Sequence, residues 1–427
     1  MFMMRSRFNQ RVIHIIIVLM IVFNTFGASL SQVLSIPSLV FTGLPIIMLV
    51  CLSIYMNKSR LRIAREIEWY LVVAIGIFIV HLIKYLAGFS VRFGGAEIKY
   101  VIYFIAFVFT LSVINIDDWN AVEISFVGIS IFLCLDVLHC VGQVVSKGLR
   151  IYNVTNFTFL DKAYYTVILT ITVIFMLSDL LINKGKVKLF RKIALLFCIV
   201  IFSLVNVVIV QSKLFIIALA TMALAMALFS KGAIRRRIVL ILCLAVFTAI
   251  VIFTFFSNIV PDYIYIFLNR YFGLFGNIIA KMQLFARLSS TYVHRSTIYK
   301  YALKVFLGNF IFGVGFGNYR IYASANSELL GDVFQTESSY LGILVEGGVI
   351  YFLAHMIFLA DILIKLCKGI RKNKNDLYLM KMLFVAIAYI ILNTGNDFYN
   401  ATYWIVFAFI YRASEDKMEE LKIRNRK

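Results

Sequence analysis

The sequence predicts an all-α, polytopic transmembrane bundle of about twelve spans, with one large external loop between spans nine and ten. Three observations carry that expectation. The chain is 62% hydrophobic and only 15% charged, with a mean hydropathy of +0.93, whereas soluble domains run at about 45–50% apolar and about 25% charged. Its apolar residues continue for about twenty positions at a time without period-two alternation, which selects helices over a β-barrel. Its 42 Lys and Arg residues sit in short clusters between those runs, as they do in cytoplasmic loops. A net charge of +21 in a soluble chain would suggest a nucleic-acid partner. The clustering argues against one.

The elements follow in order. Arg5, Arg7 and Arg11 precede an apolar run at 12–30. Because many spans follow, this run reads as an uncleaved first helix rather than a signal peptide. Spans two and three are expected at 36–56 and 69–88, on either side of the basic stretch 58–65. Spans four and five fall at 98–115 and 121–145, and Asp117 and Asp118 lie between them. Spans six to eight are expected at 163–183, 193–210 and 213–230, with basic residues at 184–192 and a tight turn at Gln211-Ser212-Lys213. Span nine, 238–257, follows the basic stretch 231–237. Spans ten to twelve are placed at 340–364, 378–394 and 398–412, with a basic loop at 365–374 and a tail at 413–427.

The basic clusters fall in alternate loops, and by the positive-inside rule those loops and both termini are cytoplasmic. Asp117 and Asp118 fall on the same inner side, and acidic residues weigh little in that rule. The chain thus divides into helices one to nine (1–257), an extracytoplasmic loop with amphipathic helices (258–339), helices ten to twelve (340–412) and a cytoplasmic tail (413–427). The loop is the one long connection, and long loops tend to carry function. Within it, 268–288 places Arg270, Lys281 and Arg287 among aromatics, and 295–306 reads as a helix with Lys300 and Lys304 on one side. The six cysteines lie in apolar runs or in a cytoplasmic loop, and five histidines are scattered. Disulfides, a zinc site, other metals and cofactors are therefore not expected.

Ionisable residues gather at the expected outer face. His81 and Lys84 end span three, Lys99 opens span four, and Lys213 sits at the seven–eight turn. Arg287, Arg295 and Arg320 belong to the loop, Glu337 precedes span ten, Glu346 lies two turns inside it, and Asp397 opens span twelve. The plain reading of cations at helix ends is snorkelling to headgroups. Lys213 has little loop around it and so stays close to the bundle. Glu346 inside a span needs a partner or a water-filled cavity, and its role is either functional or that of a structural ion pair. Asp136, within span five, has no partner legible in the sequence. The glycines of Gly313-Val314-Gly315-Phe316-Gly317 lack the preceding strand and βαβ unit of a dinucleotide loop, and instead permit a sharp turn and close packing.

Three runs then resemble a known pattern. They are 295–299 (Arg-Ser-Thr-Ile-Tyr), 312–319 (Phe-Gly-Val-Gly-Phe-Gly-Asn-Tyr) and 337–348 (Glu-Ser-Ser-Tyr-Leu-Gly-Ile-Leu-Val-Glu-Gly-Gly). Their order and placement resemble the O-antigen polymerase and ligase family of bacterial envelope glycan synthesis. The Gln211-Ser212-Lys213 turn looks like that family's Ser-Arg turn, and the motif-bearing resemblance covers roughly residues 205–350. Two residues depart from the pattern. Lys213 stands in place of an Arg, which keeps the charge without the bidentate fork. Glu337-Ser338 replaces the His-Asn of ligases and resembles polymerase-like members.

The resemblance implies a metal-independent glycosyltransferase of the bacterial cytoplasmic membrane. It would join undecaprenyl-pyrophosphate-linked oligosaccharide repeats into O-antigen, capsule or exopolysaccharide, with a chain-length regulator and a flippase as possible partners. In that scheme Glu337 is the acceptor base or orients the acceptor, and Lys213, Arg295 and Arg287, with Arg320 and Glu346, bind substrate. The alternative for Glu337 is a carboxylate favoured by the dipole of the following helix. A ligase and a lipid-linked oligosaccharide transporter are the rival readings. A transporter is expected to show internal repeats and mid-membrane polar residues, and no repeat is visible here.

Overall fold

The computed structural model describes residues 7–35, 38–57, 65–88, 95–114, 118–146, 162–182, 189–206, 212–229, 285–326, 336, 338–372, 377–394 and 401–424. These residues are 91% helical and contain no strand, so the chain is an all-α membrane bundle. In chain order the helices are α1 (Arg7–Leu34), α2 (Ser38–Asn57), α3 (Arg65–Leu86), α4 (Gly95–Val113), α5 (Trp119–Ser146), α6 (Lys162–Ile182), α7 (Leu189–Leu204) and α8 (Lys213–Phe229). After these come α9 (Phe285–Gly308), α10 (Tyr319–Ser324), α11 (Ser339–Lys372), α12 (Leu377–Leu392) and α13 (Ala401–Arg424).

Eleven of the twelve expected spans correspond to α1–α8 and α11–α13. The expected span 238–257 lies outside the described residues. Among the described residues four helices meet both the length and the hydropathy needed to cross a bilayer: Gln10–Gly27, Glu68–Leu86, Trp119–His139 and Ser339–Lys372. Shorter apolar stretches recur in α2, α4, α6, α8 and α12. Several helices outrun their apolar cores. The tenth span was expected to end at 364, yet α11 continues to Lys372, because backbone hydrogen bonding does not stop where the side chains turn basic. Conversely, α7 ends at Leu204 rather than 210. There the Asn206 carbonyl accepts from the Ser212 N–H at 3.1 Å instead of continuing the helical ladder.

The packing has a centre and a rim. From Thr402 to Tyr411 every residue of α13 is at most 1% exposed, and α1, α4, α11 and α12 all pack on it. A helix enclosed on all sides is apolar all round, and the α13 run Trp404-Ile-Val-Phe-Ala-Phe-Ile410 is. On the rim, α3 leaves Val72, Ile75, Ile79 and Ile83 bare. Their three- and four-residue spacing makes one stripe facing away from the bundle, as a lipid-facing helix requires.

Three polar clusters inside the bundle tie its helices together. His355, fully buried, bonds the Tyr70 hydroxyl through Nδ1 at 2.9 Å and the Tyr403 hydroxyl through Nε2 at 3.1 Å. This single imidazole therefore ties α11 to α3 and α13. The Tyr165 hydroxyl donates to Asp136 Oδ2, supplying the partner for Asp136 that the sequence did not reveal. Lys381 on α12 meets both Glu123 of α5 and Asp179 of α6, the latter at 2.8 Å, and Trp119 Nε1 donates to Glu123.

Candidate functional site

Hydrogen bonds and ion pairs fix which helix ends lie together. Ser339 at the start of α11 donates through N–H to Asn393 O at 3.1 Å and through Oγ to Asn393 Oδ1 at 2.7 Å, just past the end of α12. The start of α12 meets the end of α6 through Lys381 and Asp179, so the start of α6 lies with the end of α12. There Asn206 Nδ2 donates to Thr170 Oγ1 at 3.0 Å, and Asn206 O holds Ser212. The first turn of α8 is thus at the same end of the bundle as the first turn of α11. The end of α3 joins them through His81, whose Nε2–H donates to Phe312 O at 2.6 Å. The opposite end holds the Lys381–Glu123–Asp179 cluster, the His14–Asp118 contact at 3.0 Å and the Lys365–Asp361 pair at 2.9 Å.

At the first of these ends the chain builds an interlocked turn. Gly348 interrupts α11 with φ 72°, ψ 179°, a conformation open essentially to glycine alone. A straight helix would bond the Val349 N–H to the Val345 carbonyl. Here that carbonyl accepts from the Val314 N–H at 3.0 Å, Glu346 O accepts from the Gly315 N–H at 3.0 Å, and the Val349 N–H donates to Phe310 O at 2.9 Å. The groups released by the kink are therefore satisfied by the segment between α9 and α10, as buried backbone demands. The approach is close enough to exclude any side chain. A Cβ on Gly313 would stand 2.2 Å from Glu346 O, and one on Gly348 would stand 2.2 Å from Ile311 O.

Side chains pin this turn from three directions. The Tyr319 N–H, at the start of α10, donates to Glu346 Oε1 at 3.4 Å, so the carboxylate inside α11 holds the turn's exit. Lys84 Nζ donates to Gly313 O at 3.2 Å and lies 5.8 Å from the Phe312 ring centroid. Phe316 stands edge-on to both His81 and Tyr351, with centroids 5.4 and 5.1 Å away. Behind the turn, Ile298, Ala302, Val305 and Phe306 of α9 pack with Val314, Tyr319, Ala323 and Val345 in a small second core. Burial there, with Tyr301 adding to it, pushes the Tyr319 phenol up to about 12.

The expected site residues fall as follows. Glu346 is buried and holds the turn, while Arg320 is exposed on α10 one residue beyond the Tyr319 N–H. Lys213 is the first residue of α8, and Ser212 caps that helix by accepting the Phe215 N–H at 3.2 Å. Arg287 and Arg295 lie on α9. The side chains of Lys213, Arg287 and Arg295, and Glu337 altogether, lie outside the described residues, although Ser338 immediately beyond Glu337 is buried. Sequence reading missed His355, the Lys381 cluster and the reason for Gly348. The doubled glycine at 347–348 was the one available signal.

Residues 198–356 match the family model described as O-antigen ligase. The match begins in α7, takes in the Ser212–Lys213 helix start, α9 and the glycine turn, and ends one residue past His355. No curated protein matches the chain. Over residues 198–356, less than half of its length, the chain is therefore similar to the O-antigen ligase family.

Proposed function

We propose that the chain is a polysaccharide polymerase that joins undecaprenyl-pyrophosphate-linked oligosaccharide repeats at the outer face of the bacterial cytoplasmic membrane. The observation that carries this reading is the convergence at one end of the bundle. The start of α8 at Lys213, the glycine turn clamped by Glu346, and the start of α11 immediately after Glu337 all belong to the matched domain. The opposite end collects Arg191, Lys192, Lys365, Lys368, Arg371 and Lys372, and the positive-inside rule makes it the cytoplasmic end. Both termini are cytoplasmic in this reading, and the site faces outward.

The chemistry is transfer of a glycan from its pyrophosphate to a sugar hydroxyl of a second lipid-linked repeat. Glu337 takes the acceptor proton, and the glycosidic bond forms as the bond to pyrophosphate breaks. Lys213, set at a helix N-terminus that itself favours anions, offsets charge on the departing pyrophosphate together with Arg295, Arg287 and Arg320. Glu346 serves the site by holding the turn at Tyr319. No metal or nucleotide takes part in this scheme.

A ligase, which transfers a finished glycan to another acceptor, is the second reading, and the description of the matching family favours it. Glu337 in place of the ligase His favours polymerisation. The deciding experiment compares glycan size on gels from cells lacking the gene, complemented with the native chain or with Glu337→Gln. A polymerase gives a ladder with the native chain and single repeats with Glu337→Gln. Long glycan persisting on its lipid carrier in the deletion strain would move the assignment to a ligase.

A further inference from the structure

We propose that the second half of α9 and the turn after it form a membrane-seated surface: Leu303, Leu307, Phe310 and Ile311 enter the leaflet at this end of the bundle, and Lys300 and Lys304 bind its lipid phosphates. The inference is independent of the reaction the site performs.

The residues divide the helix cleanly. Ile298, Ala302, Val305 and Phe306 are buried in the small second core. Lys300, Leu303, Lys304 and Leu307 recur every three or four residues and are all exposed, Leu307 at 71%, so they share one face. Phe310 at 49% and Ile311 at 52% carry the bare patch into the turn. Among the described residues, Leu303, Leu307 and Ile311 belong to neither buried core.

Depth decides what covers it. The turn is bonded to α11 at Val345, Glu346 and Val349, so its height in the bilayer is that of those residues. The basic cluster ending α11 begins at Lys365. A hydrocarbon core about 30 Å thick takes about 20 helical residues at 1.5 Å each, and counting that many back from Lys365 arrives at Val345. The turn therefore sits at the boundary between hydrocarbon and headgroups. The last turn of α3 agrees: Lys84 donates to Gly313 O, and the lipid-facing stripe of that helix ends at the same level with Ile83 and Leu86. The bare residues of α9 thus continue an existing lipid-facing surface rather than standing in water. Lysines flanking apolar side chains at this depth reach phosphate with their ammonium groups while burying their stems.

The test uses the full chain in nanodiscs of mixed phosphatidylglycerol and phosphatidylcholine, with a photoreactive diazirine amino acid at position 307 or 310. Position 75 on the lipid-facing stripe of α3, where the native Ile is 57% exposed, serves as the lipid reference, and Ser324, exposed on α10, as the water reference. Lipid adducts at 307 and 310 should match position 75 and exceed position 324 several-fold. The double variant Lys300→Gln, Lys304→Gln should lower the ratio of phosphatidylglycerol to phosphatidylcholine adducts toward that of the bulk bilayer. Adducts to water at 307 and 310, or crosslinks to another segment of the chain, would overturn the membrane seat. An unchanged lipid ratio in the double variant would overturn the phosphate contact.

Discussion

Replacing Gly348 by Ala tests whether the kink in α11 and the glycine turn are one object. At φ 72°, ψ 179° an alanine is strained by about 1–3 kcal/mol. Its Cβ would also stand 2.2 Å from Ile311 O, 2.5 Å from Ile311 C and 2.6 Å from Gly313 N. All three are backbone atoms, so no rotamer change relieves the clash and the two segments must part. Parting them breaks the bonds from Val314 to Val345, Gly315 to Glu346 and Val349 to Phe310, each worth about 1 kcal/mol net. Together these come to about 4–6 kcal/mol, which lowers the population of the closed turn by about three to four powers of ten. Expected results are loss of the glycan ladder in cells carrying Gly348→Ala and faster proteolysis near residue 313 in the purified protein. Gly128→Ala, where the new methyl meets nothing within 4 Å, should leave both unchanged. A normal ladder and native protease resistance for Gly348→Ala would refute the interlock.

Three further outcomes follow from the same geometry. Lys381→Met strands Glu123 and Asp179 and should cost about 3 kcal/mol, the low end for a buried pair because all three groups keep some exposure. The measurement is the melting temperature in detergent, and restoring it with Glu123→Gln and Asp179→Asn would show that uncompensated charge was the cause. Ser212→Ala removes the cap on α8 at about 1 kcal/mol, and should reduce glycan output more than it reduces the melting temperature if Lys213 must be held in place. Tyr319→Phe removes a buried hydroxyl with no partner among the described residues, so stability should stay level or rise by up to about 1 kcal/mol. That phenol ionises only near 12. It stays neutral in the native chain from pH 5 to 9, so removing it should leave the pH profile of activity unmoved.

The membrane helices were legible in the sequence, for a simple physical reason. Apolar runs of about twenty residues and clustered Lys and Arg report their own environment without knowledge of partners. Contacts between distant segments were not disclosed. Asp136 looked solitary because Tyr165 lies on the next helix. His355, scattered among apolar neighbours, gave no sign that Tyr70 and Tyr403 would come to both its nitrogens. The glycines at 313–317 suggested a turn, and only their pairing with Val345, Glu346 and Gly348 showed what the turn is fastened to. Glu346 illustrates the same limit. A carboxylate inside a span announces a partner, and the backbone N–H of Tyr319 is a partner that no residue pattern encodes.

The enclosed position of α13 has a consequence for biogenesis. The helix wrapped by α1, α4, α11 and α12 is the last of the described helices to leave the ribosome. Until Thr402 to Tyr411 have been inserted, the inner faces of those four helices lack their common partner, and His355 lacks its bond to Tyr403. Completion of the core therefore waits on a late insertion, although domains commonly fold from the N-terminus during synthesis. Chains cut short before residue 400 would leave open to lipid the faces of α1, α4, α11 and α12 that α13 normally covers, His355 among them.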